Sequence, residues 1–344
     1  MLDDLKYINK VDKSDALGFA AKQPQQFSHN FNFKYEQPGK AGIKTVVFSG
    51  MGGSSLVAEL VHTWPQLDTP FVVSKNYDIP GWVNEDTLVI CASYSGNTEE
   101  TLSSLEQALQ CNAQIVIIAH GGKLLEIAKE KSIPYVQLPE CPQPRTGIFY
   151  AYRAVIEIFC ATELVSTNVL SQLEAVIPSL EEACSNWFAS VPEDLNYAKQ
   201  IANEMVGKTP IIYGGPLSYP AAYKWKIDVN ENAKNTAWCN QLPEFNHNEF
   251  IGWSSHPIQK PFAVIDLLSS FEHPRILERF AVSDRLLSGK RPKAISIDAV
   301  GDSVLEQLLY LVLLGDFATT YLSILNNVDP TPVELVEKFK KELS

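Results

Sequence analysis

The chain has 344 residues, of which 45% are apolar and 20% charged, and its 40 acidic residues outnumber 28 basic ones to give a formal net charge of −12. This length predicts two domains of about 150 residues each, and the apolar fraction argues against a disordered chain. A surface of that sign repels nucleic acid and anionic lipid, so we expect no nucleic-acid partner and no membrane partner, although a small anionic substrate is compatible with it.

The first part of the chain alternates short apolar strands with helical stretches. A strand at residues 43–49 ends in Gly-Met-Gly-Gly-Ser, and a helix follows from Ser54 to about His62, as in the opening unit of a doubly wound sheet. This alternation requires a parallel sheet with right-handed crossovers. The further elements predicted here are strands at residues 71–74, 87–92, 114–119 and 135–138, and helices at residues 97–110 and 123–131.

A second alternation follows a helical segment that contains no strand pattern. After Val-Asp-Pro-Thr-Pro, whose prolines end the preceding helix, an amphipathic helix is predicted at residues 332–343. The elements predicted before it are strands at residues 210–213, 236–240, 262–266 and 294–298, and helices at residues 194–206, 219–234, 274–287 and 303–326.

The predicted fold class is therefore α/β, with two doubly wound parallel-sheet domains of flavodoxin-like type and a C-terminal helix. The predicted organisation is an N-terminal extension at residues 1–40, a first domain at 41–143, a helical linker at 144–190, a second domain at 191–330 and the C-terminal helix at 331–344.

The cysteines and the N-terminal sequence indicate the cellular compartment in which the protein is found. The six cysteines are dispersed, form no Cys-x-x-Cys pair and have no histidine nearby at metal-ligand spacing, so we expect reduced thiols and no metal site. Residues 1–15 are polar and charged, and no uninterrupted apolar run reaches the length of a membrane span. We therefore expect a cytoplasmic protein.

The strongest local signal for chemistry is the hydroxyl-rich segment at residues 91–101, Cys-Ala-Ser-Tyr-Ser-Gly-Asn-Thr-Glu-Glu-Thr. Because it leaves a predicted strand and enters a predicted helix, an anion there would meet the helix N–H groups at Asn97 and Thr98. The hydroxyls of Ser93, Ser95 and Thr98 would add donors. The alternative is an ordinary N-cap, since Thr98 with nearby glutamates also starts a helix well. A cap needs one hydroxyl rather than three around a glycine, which favours an anion-binding turn.

The earlier glycine turn would let the backbone approach a ligand closely, and its candidate ligand contacts are Gly52, Gly53 and Ser54. It is not the Gly-x-Gly-x-x-Gly dinucleotide fingerprint, and no acidic residue ends the next predicted strand. The chain also has no Gly-x-x-x-x-Gly-Lys-Ser/Thr loop. Nicotinamide and nucleoside triphosphate chemistry are therefore disfavoured, and we predict no cofactor.

Two polar segments interrupt the second half of the chain. They are Asn-Glu-Asn-Ala-Lys at residues 230–234 and Phe-Asn-His-Asn-Glu at residues 245–249, and each is bounded by apolar sequence. Segments of this kind must satisfy many donors and acceptors, and they often serve sites. The alternative is a surface helix end and a surface loop.

Six segments, in order between about residues 43 and 343, together resemble the bifunctional phosphoglucose/phosphomannose isomerase family. The resemblance implies two sugar isomerase (SIS) domains, a phosphate held by the serine-rich turn of the first domain, and a homodimer whose active sites draw on both subunits. The six segments are Gly-Met-Gly-Gly-Ser, Ser-Tyr-Ser-Gly-Asn-Thr-Glu-Glu-Thr, Pro144-Arg145, residues 230–234, residues 242–253 and the C-terminal residues 326–343.

The resemblance also implies roles for single residues. Glu231 matches the catalytic glutamate, which carries a proton between adjacent sugar carbons through an enediolate. His247 matches the histidine that opens the sugar ring, a step that needs a group able to give and retrieve a proton near neutral pH. Arg145 matches the arginine that stabilises the enediolate charge with a permanent cation.

Two further positions near the C-terminus follow from the same resemblance. The family brings a lysine to the sugar ring, and among Lys338, Lys340 and Lys341 we choose Lys340 by its place before the terminal leucine. The alternative for any of the three is a solvated helix face. Thr331 resembles the threonine that makes room for both epimers at carbon 2.

The implied activity is that of a dimeric, metal-independent aldose–ketose isomerase, with glucose 6-phosphate, fructose 6-phosphate and also mannose 6-phosphate as the hexose 6-phosphate substrates. One alternative is a SIS protein that binds sugar phosphates without chemistry, but such a sensor would not need both polar segments. Another is a glucosamine-phosphate synthase, which needs an N-terminal nucleophile domain. Residue 2 is Leu, and no such domain is expected before the first strand.

Overall fold

The computed structural model describes residues 1–35, 42–255 and 260–343. Residues 36–41, at the predicted border between the extension and the first domain, lie outside the described residues, as does Ser344. The chain divides into two compact units. We call Gln23–Pro178 the sheet A unit, and Met1–Lys22 together with Ser179–Ser344 the sheet B unit. Residues 1–22 thus belong with the second sheet, and the boundary between the units falls inside the segment 144–190.

The strands and helices of the described residues are as follows. The strands are β1 Thr45–Ser49, β2 Phe71–Ser74, β3 Thr87–Ala92, β4 Gln114–Ala119, β5 Tyr135–Gln137, β6 Thr209–Gly214, β7 Trp238–Gln241, β8 Phe262–Leu268 and β9 Ile295–Asp298. The α-helices are α1 Leu5–Val11, α2 Ala16–Lys22, α3 Gly52–Thr63, α4 Glu99–Gln110, α5 Gly122–Lys131, α6 Ile148–Ala161, α7 Asn168–Ala175, α8 Ile177–Ser185, α9 Tyr197–Met205, α10 Tyr219–Glu231, α11 Glu249–Gly252, α12 Pro274–Leu286, α13 Val304–Leu325 and α14 Glu334–Leu343.

The sheet A unit is built on five parallel strands in the order β2-β1-β3-β4-β5. Strands β3 and β4 are buried along their whole length, as central strands of a parallel sheet covered on both faces should be. One face of the sheet carries a core of Val47, Val89, Ile117 and neighbouring aliphatic side chains from α4 and α5. The strand order reverses between β1 and β3, which is where doubly wound sheets bind their ligands.

The sheet B unit is built on four parallel strands in the order β7-β6-β8-β9. Helix α13 lies at the centre of this unit, where it packs against α9 and α10. By length and composition α13 could cross a membrane, but 89% of its most apolar 18-residue window is buried inside the protein. A helix at the centre of a folded unit passes the same test of length and composition as a membrane span, so this result is weak evidence for a span.

The predicted fold class, with two doubly wound parallel sheets, is confirmed. The main difference inside the sheet B unit concerns helix α10, which was predicted to run to residue 234 but ends at Glu231. Asn232 is its C-cap, and Lys234 has a left-handed backbone with φ of +52° that cannot continue a helix. The short helices α1, α2 and α11 were not predicted.

Candidate active site

The turn that follows β3 brings together the hydroxyl groups of the hydroxyl-rich segment at residues 91–101. The Ser93 and Thr98 hydroxyls lie 2.7 Å apart, and the Ser93 and Ser95 hydroxyls lie 3.5 Å apart. Ser93 Oγ also accepts a hydrogen bond from the Gly96 N–H at 3.2 Å. Gly96 is required here because its φ is +69° and a Cβ would lie 1.8 Å from the Gly121 carbonyl oxygen.

The hydrogen bonds of this turn favour a ligand site over an ordinary helix cap. Thr98 is the N-cap residue of α4, but its side chain makes no capping hydrogen bond, because its hydroxyl is engaged with Ser93. The N-terminus of α4 therefore keeps N–H groups without a side-chain cap at the place where the hydroxyls gather. The Asn97 side chain braces the turn instead, since its amide donates to the Ser95 carbonyl and accepts from the Lys123 N–H.

The glycine turn after β1 lies beside this hydroxyl-rich turn. Ser54 Oγ accepts a hydrogen bond from the Tyr94 N–H at 3.3 Å, which joins the two turns. Gly52, at the start of α3, has a φ of +52°. A Cβ on Gly53 would lie 3.7 Å from the Arg145 backbone nitrogen, so the glycine turn also borders the segment that carries Arg145.

These residues form what we call the cradle, at the carboxyl edge of sheet A where the strand order reverses between β1 and β3. Two helix N-termini, those of α3 and α4, and several hydroxyl groups converge at this edge. That combination binds phosphate groups because the N–H groups and the positive ends of the helix dipoles favour an anion. The cradle residues are Gly52, Gly53, Ser54, Ser93, Ser95, Asn97 and Thr98.

Arg145 lies in a 3₁₀ turn, Pro144–Gly147, and is 5% exposed. One guanidinium nitrogen contacts the Gln143 side-chain oxygen at 3.5 Å. Burial on this scale holds a permanent cation in one place, which suits a group that stabilises developing negative charge.

Tyr94 is a cradle neighbour that the sequence did not single out. Its hydroxyl accepts a hydrogen bond from the Cys141 N–H at 2.5 Å, and its ring stacks on His120 with centroids 5.1 Å apart. These contacts tie the hydroxyl-rich turn to the segment that precedes Arg145. The only signal was an aromatic residue inside a run of small polar ones.

Glu231 is the last residue of α10 and is half-buried. The helix is anchored to α13 by three polar contacts in the interior of the sheet B unit. Lys224 contacts Asp316, the Trp225 indole N–H donates to the Leu311 carbonyl at 2.7 Å, and the Asn232 amide donates to the Thr319 hydroxyl at 3.0 Å.

The Lys224 ammonium is fully buried between two carboxylates, those of Asp228, at 2.5 Å, and Asp316. Burial lowers the pKa of Lys224, but the two carboxylates more than offset this, so the pKa lies above its usual value. Removing one partner of such a buried group costs about 3–5 kcal/mol because it leaves uncompensated charge. Helix α10 therefore holds Glu231 on a rigid support.

Lys234 links the turn that contains Thr331 to Glu231. The Lys234 ammonium donates to the Glu231 carbonyl at 2.9 Å and to the Asp329 carbonyl at 2.6 Å. The Thr331 N–H in turn donates to Asp329 Oδ1 at 3.0 Å. The end of α10 and the Asp-Pro-Thr-Pro turn are thus adjacent.

His247 lies at the other edge of sheet B. It ends a 3₁₀ turn, Glu244–His247, that follows the carboxyl end of β7, and it is exposed. Helix α10 runs back from the carboxyl edge to the amino edge, where the Asn235 amide donates to the carbonyl of Lys208, the residue before β6. Glu231 and His247 are therefore separated by about 17–20 Å, the length of a strand such as β6. One chain does not bring these two residues together.

A hydrogen-bonded network links the segment that follows His247 to β6 and β7. The Glu249 carboxylate accepts hydrogen bonds from the Tyr213 hydroxyl and, at 2.6 Å, from the Asn240 amide. Burial and the Glu249 charge raise the pKa of Tyr213, so the phenol stays protonated and acts as a donor. The Trp253 indole N–H donates to the same phenol oxygen at 3.1 Å. These contacts hold the loop in place, and the sequence did not identify Tyr213 or Asn240.

Lys340 lies on the exposed helix α14 and pairs with Glu337 at 2.8 Å. Helix α14 buries none of its residues within the chain. Among the described contacts, none joins Lys340 to Glu231 or Thr331, so the structure does not bring Lys340 together with them.

The place in sheet B that corresponds to the cradle is filled by the chain itself. Between β6 and β8, where the order of sheet B reverses, one Glu272 carboxylate oxygen accepts from the Leu217 N–H at 2.8 Å and the Ser218 N–H at 3.1 Å. Burial raises the pKa of Glu272, and these hydrogen bonds partly offset that. A Cβ on Gly215 would lie 2.4 Å from the same carboxylate. An external phosphate therefore has no room at this turn.

The fold and the cradle define a class of protein, and comparison with known families gives the same class. Residues 41–132 match the SIS domain family, and residues 194–343 match the bacterial phospho-glucose isomerase C-terminal SIS domain. The crystal structure of a glucose-6-phosphate isomerase like protein from Thermus thermophilus has the same fold, with a TM-score of 0.65 and 19% identity over 99% of this chain and 98% of that one. The chain is a protein with two SIS domains.

Comparison with curated relatives narrows this class. The chain is 34% identical to the bifunctional phosphoglucose/phosphomannose isomerase of Aquifex aeolicus over 316 residues, which are 90% of this chain and 94% of that one. It is 33% identical to the D-glucosamine-6-phosphate 4-epimerase of Sulfolobus acidocaldarius over 238 residues, 67% of this chain and 72% of that one. The chain belongs to the bifunctional phosphoglucose/phosphomannose isomerase family, and the resemblance noted in the sequence is confirmed.

Proposed function

We propose that this protein is an aldose–ketose isomerase that interconverts glucose 6-phosphate, fructose 6-phosphate and mannose 6-phosphate. The observation that carries the proposal is the cradle, a hydroxyl-lined turn at two helix N-termini that fits a phosphate monoester, in a chain of this isomerase family. A rigidly supported carboxylate at Glu231 supplies the base that an isomerase needs and a sugar-phosphate sensor does not.

The proposed chemistry opens the sugar ring first. His247 protonates the ring oxygen as its bond to carbon 1 breaks, and it then takes back the proton that the carbon-1 hydroxyl loses, which leaves an aldehyde. Glu231 then removes the hydrogen at carbon 2. The electrons of that C–H bond form the double bond of a cis-enediolate, whose negative oxygen is stabilised by Arg145. Glu231 then returns the proton to carbon 1, and the carbon-2 hydroxyl passes its proton to the carbon-1 oxygen, which gives the ketose with its carbonyl at carbon 2.

We propose a two-fold dimer in which His247 of one subunit completes the site of the other. The positions of Glu231 and His247 at opposite edges of sheet B support this, because a hexose ring is much shorter than a strand. Thr331, beside Glu231, is proposed to face carbon 2 of the sugar, and Lys340 to approach the ring.

A coupled assay of the purified protein tests this function. Glucose 6-phosphate and mannose 6-phosphate should each give fructose 6-phosphate at a saturable rate. Tight binding of both sugars without turnover would favour the sensing alternative. Turnover of glucosamine 6-phosphate at carbon 4, with neither isomerisation, would favour the activity named for the Sulfolobus relative.

The cradle should act through substrate affinity. Replacing Ser95 and Thr98 together by Ala removes two donors to a charged phosphate, each worth about 1.5–3 kcal/mol, so we expect KM for glucose 6-phosphate to rise at least about tenfold. The value of kcat should change much less, because the phosphate is bound equally in the ground state and the transition state. Ser103→Ala, on α4 but outside the cradle, is the matched control. An unchanged KM in the double variant, as measured by initial rates, would remove the cradle from the site.

A further inference from the structure

Lys234 makes an unusual set of contacts for an exposed lysine. Its ammonium lies within hydrogen-bond distance of four backbone carbonyls, two at the end of α10 and two in the Asp-Pro-Thr-Pro turn. The carbonyls are those of Glu231 at 2.9 Å, Asn232 at 3.3 Å, Asp329 at 2.6 Å and Pro330 at 3.2 Å.

These contacts have a clear physical basis at the end of α10. The last carbonyls of a helix lack intrahelical partners and form the negative end of its dipole, so a cation stabilises them. Lys234 makes these contacts from a left-handed backbone, with φ of +52°, a conformation that disfavours any residue with a Cβ. Such strain persists where the surrounding contacts hold it in place, and the ammonium supplies those contacts.

We propose that Lys234 is a positioning residue that fixes the Asp-Pro-Thr-Pro turn against the catalytic base and thereby sets the discrimination between the two aldoses. The proposal rests on the proposed isomerase function. Glucose 6-phosphate and mannose 6-phosphate differ only at carbon 2, the carbon from which Glu231 takes the hydrogen. The residues beside Glu231 therefore determine how well the carbon-2 hydrogen of each epimer is oriented toward the carboxylate. Lys234 joins Glu231 to the turn that carries Thr331.

The experiment compares three substitutions at this position. Lys234→Gln removes the charge and keeps the strained backbone, Lys234→Gly removes both the charge and the strain, and Lys234→Arg keeps the charge. Lys208→Gln is the control, because Lys208 lies at the same edge of sheet B and pairs with Glu204 on the surface at 3.5 Å. Each variant is assayed for kcat and KM on both aldoses, and its thermal midpoint is measured.

We expect the ratio of kcat/KM for mannose 6-phosphate to that for glucose 6-phosphate to change at least about threefold in Lys234→Gln and in Lys234→Gly, mainly through kcat. The Arg variant should keep a ratio closer to wild type, and the control should keep it unchanged. A purely structural role would lower the thermal midpoint without moving the ratio.

Two outcomes separate this proposal from the function on which it rests. An active wild-type enzyme whose Gly variant folds and keeps the wild-type ratio would overturn the role of Lys234 and leave the isomerase function standing. The Gly variant serves this purpose even if the Gln variant does not fold, since it relieves the backbone strain. A wild-type protein that isomerises neither aldose would overturn the proposed function, and the role of Lys234 with it.

Discussion

Glu231→Gln should lower kcat for glucose 6-phosphate by about 10²–10⁴-fold, the range that general base catalysis contributes. The carboxamide has almost the same shape as the carboxylate but almost no basicity, so the variant tests the proton transfer and not the packing. Affinity for the sugar phosphate, measured by calorimetry, should stay near the wild-type value because the cradle is built by the sheet A unit.

Two carboxylates in the segment that contains His247 serve as comparisons. Glu249 is engaged with Tyr213 and Asn240, and the exposed Glu244 accepts from the Asn248 amide at 2.5 Å. Glu244→Gln is the matched control and should retain most of its activity. A tenfold fall in kcat corresponds to a rise of only about 1.4 kcal/mol in the activation free energy. If Glu231→Gln kept more than about a tenth of the wild-type kcat, Glu231 would not be the base, and Glu244 and Glu249 would become the candidates.

Mixing two inactive variants should restore activity. Glu231→Gln and His247→Ala subunits, once exchanged, form mixed dimers in which one of two sites has both residues intact. Random exchange makes about half of the dimers mixed, so we expect about a quarter of wild-type activity to return. The measurement is the coupled assay before and after exchange, with exchange itself followed by differently tagged subunits.

Complete subunit exchange without recovery of activity would exclude a site shared between two subunits. If exchange is complete and no activity returns, both residues would serve one site within one chain, and the separation of Glu231 and His247 across sheet B would need a rearrangement to bring them together. Mixing either variant with itself provides the control, because such dimers contain no intact site.

The strands and the cradle were predictable because each is determined by residues that are adjacent in the sequence. Buried strands such as β3 and β4 are short apolar runs bounded by polar turns, and a parallel sheet follows from their alternation with helices. The hydroxyl-rich turn carries its own signature, since the glycine, the hydroxyls and the helix start are adjacent in sequence. Their placement at the switch point between β1 and β3 then follows from the topology.

Other features depend on residues distant in sequence, and no local pattern encodes them. The end of α10 depends on Lys234, whose partners Asp329 and Pro330 lie 95 and 96 positions away. The turn after β6 is filled by Glu272, which comes from beyond β8 and lies 55 positions from Leu217. Helices α1 and α2 belong with residues 179–344, although the chain between them forms the sheet A unit.

Isomerisation in deuterated water tests whether a protein base moves a hydrogen between carbons 1 and 2 of a hexose 6-phosphate. A proton held on Glu231 exchanges with solvent during the lifetime of the enediolate. Nuclear magnetic resonance of the product should therefore show deuterium at carbon 1 of fructose 6-phosphate made by the wild-type protein. If the fructose 6-phosphate carried no deuterium at carbon 1, Glu231 would not be the base, because the hydrogen would then have moved without being held on an exchangeable group.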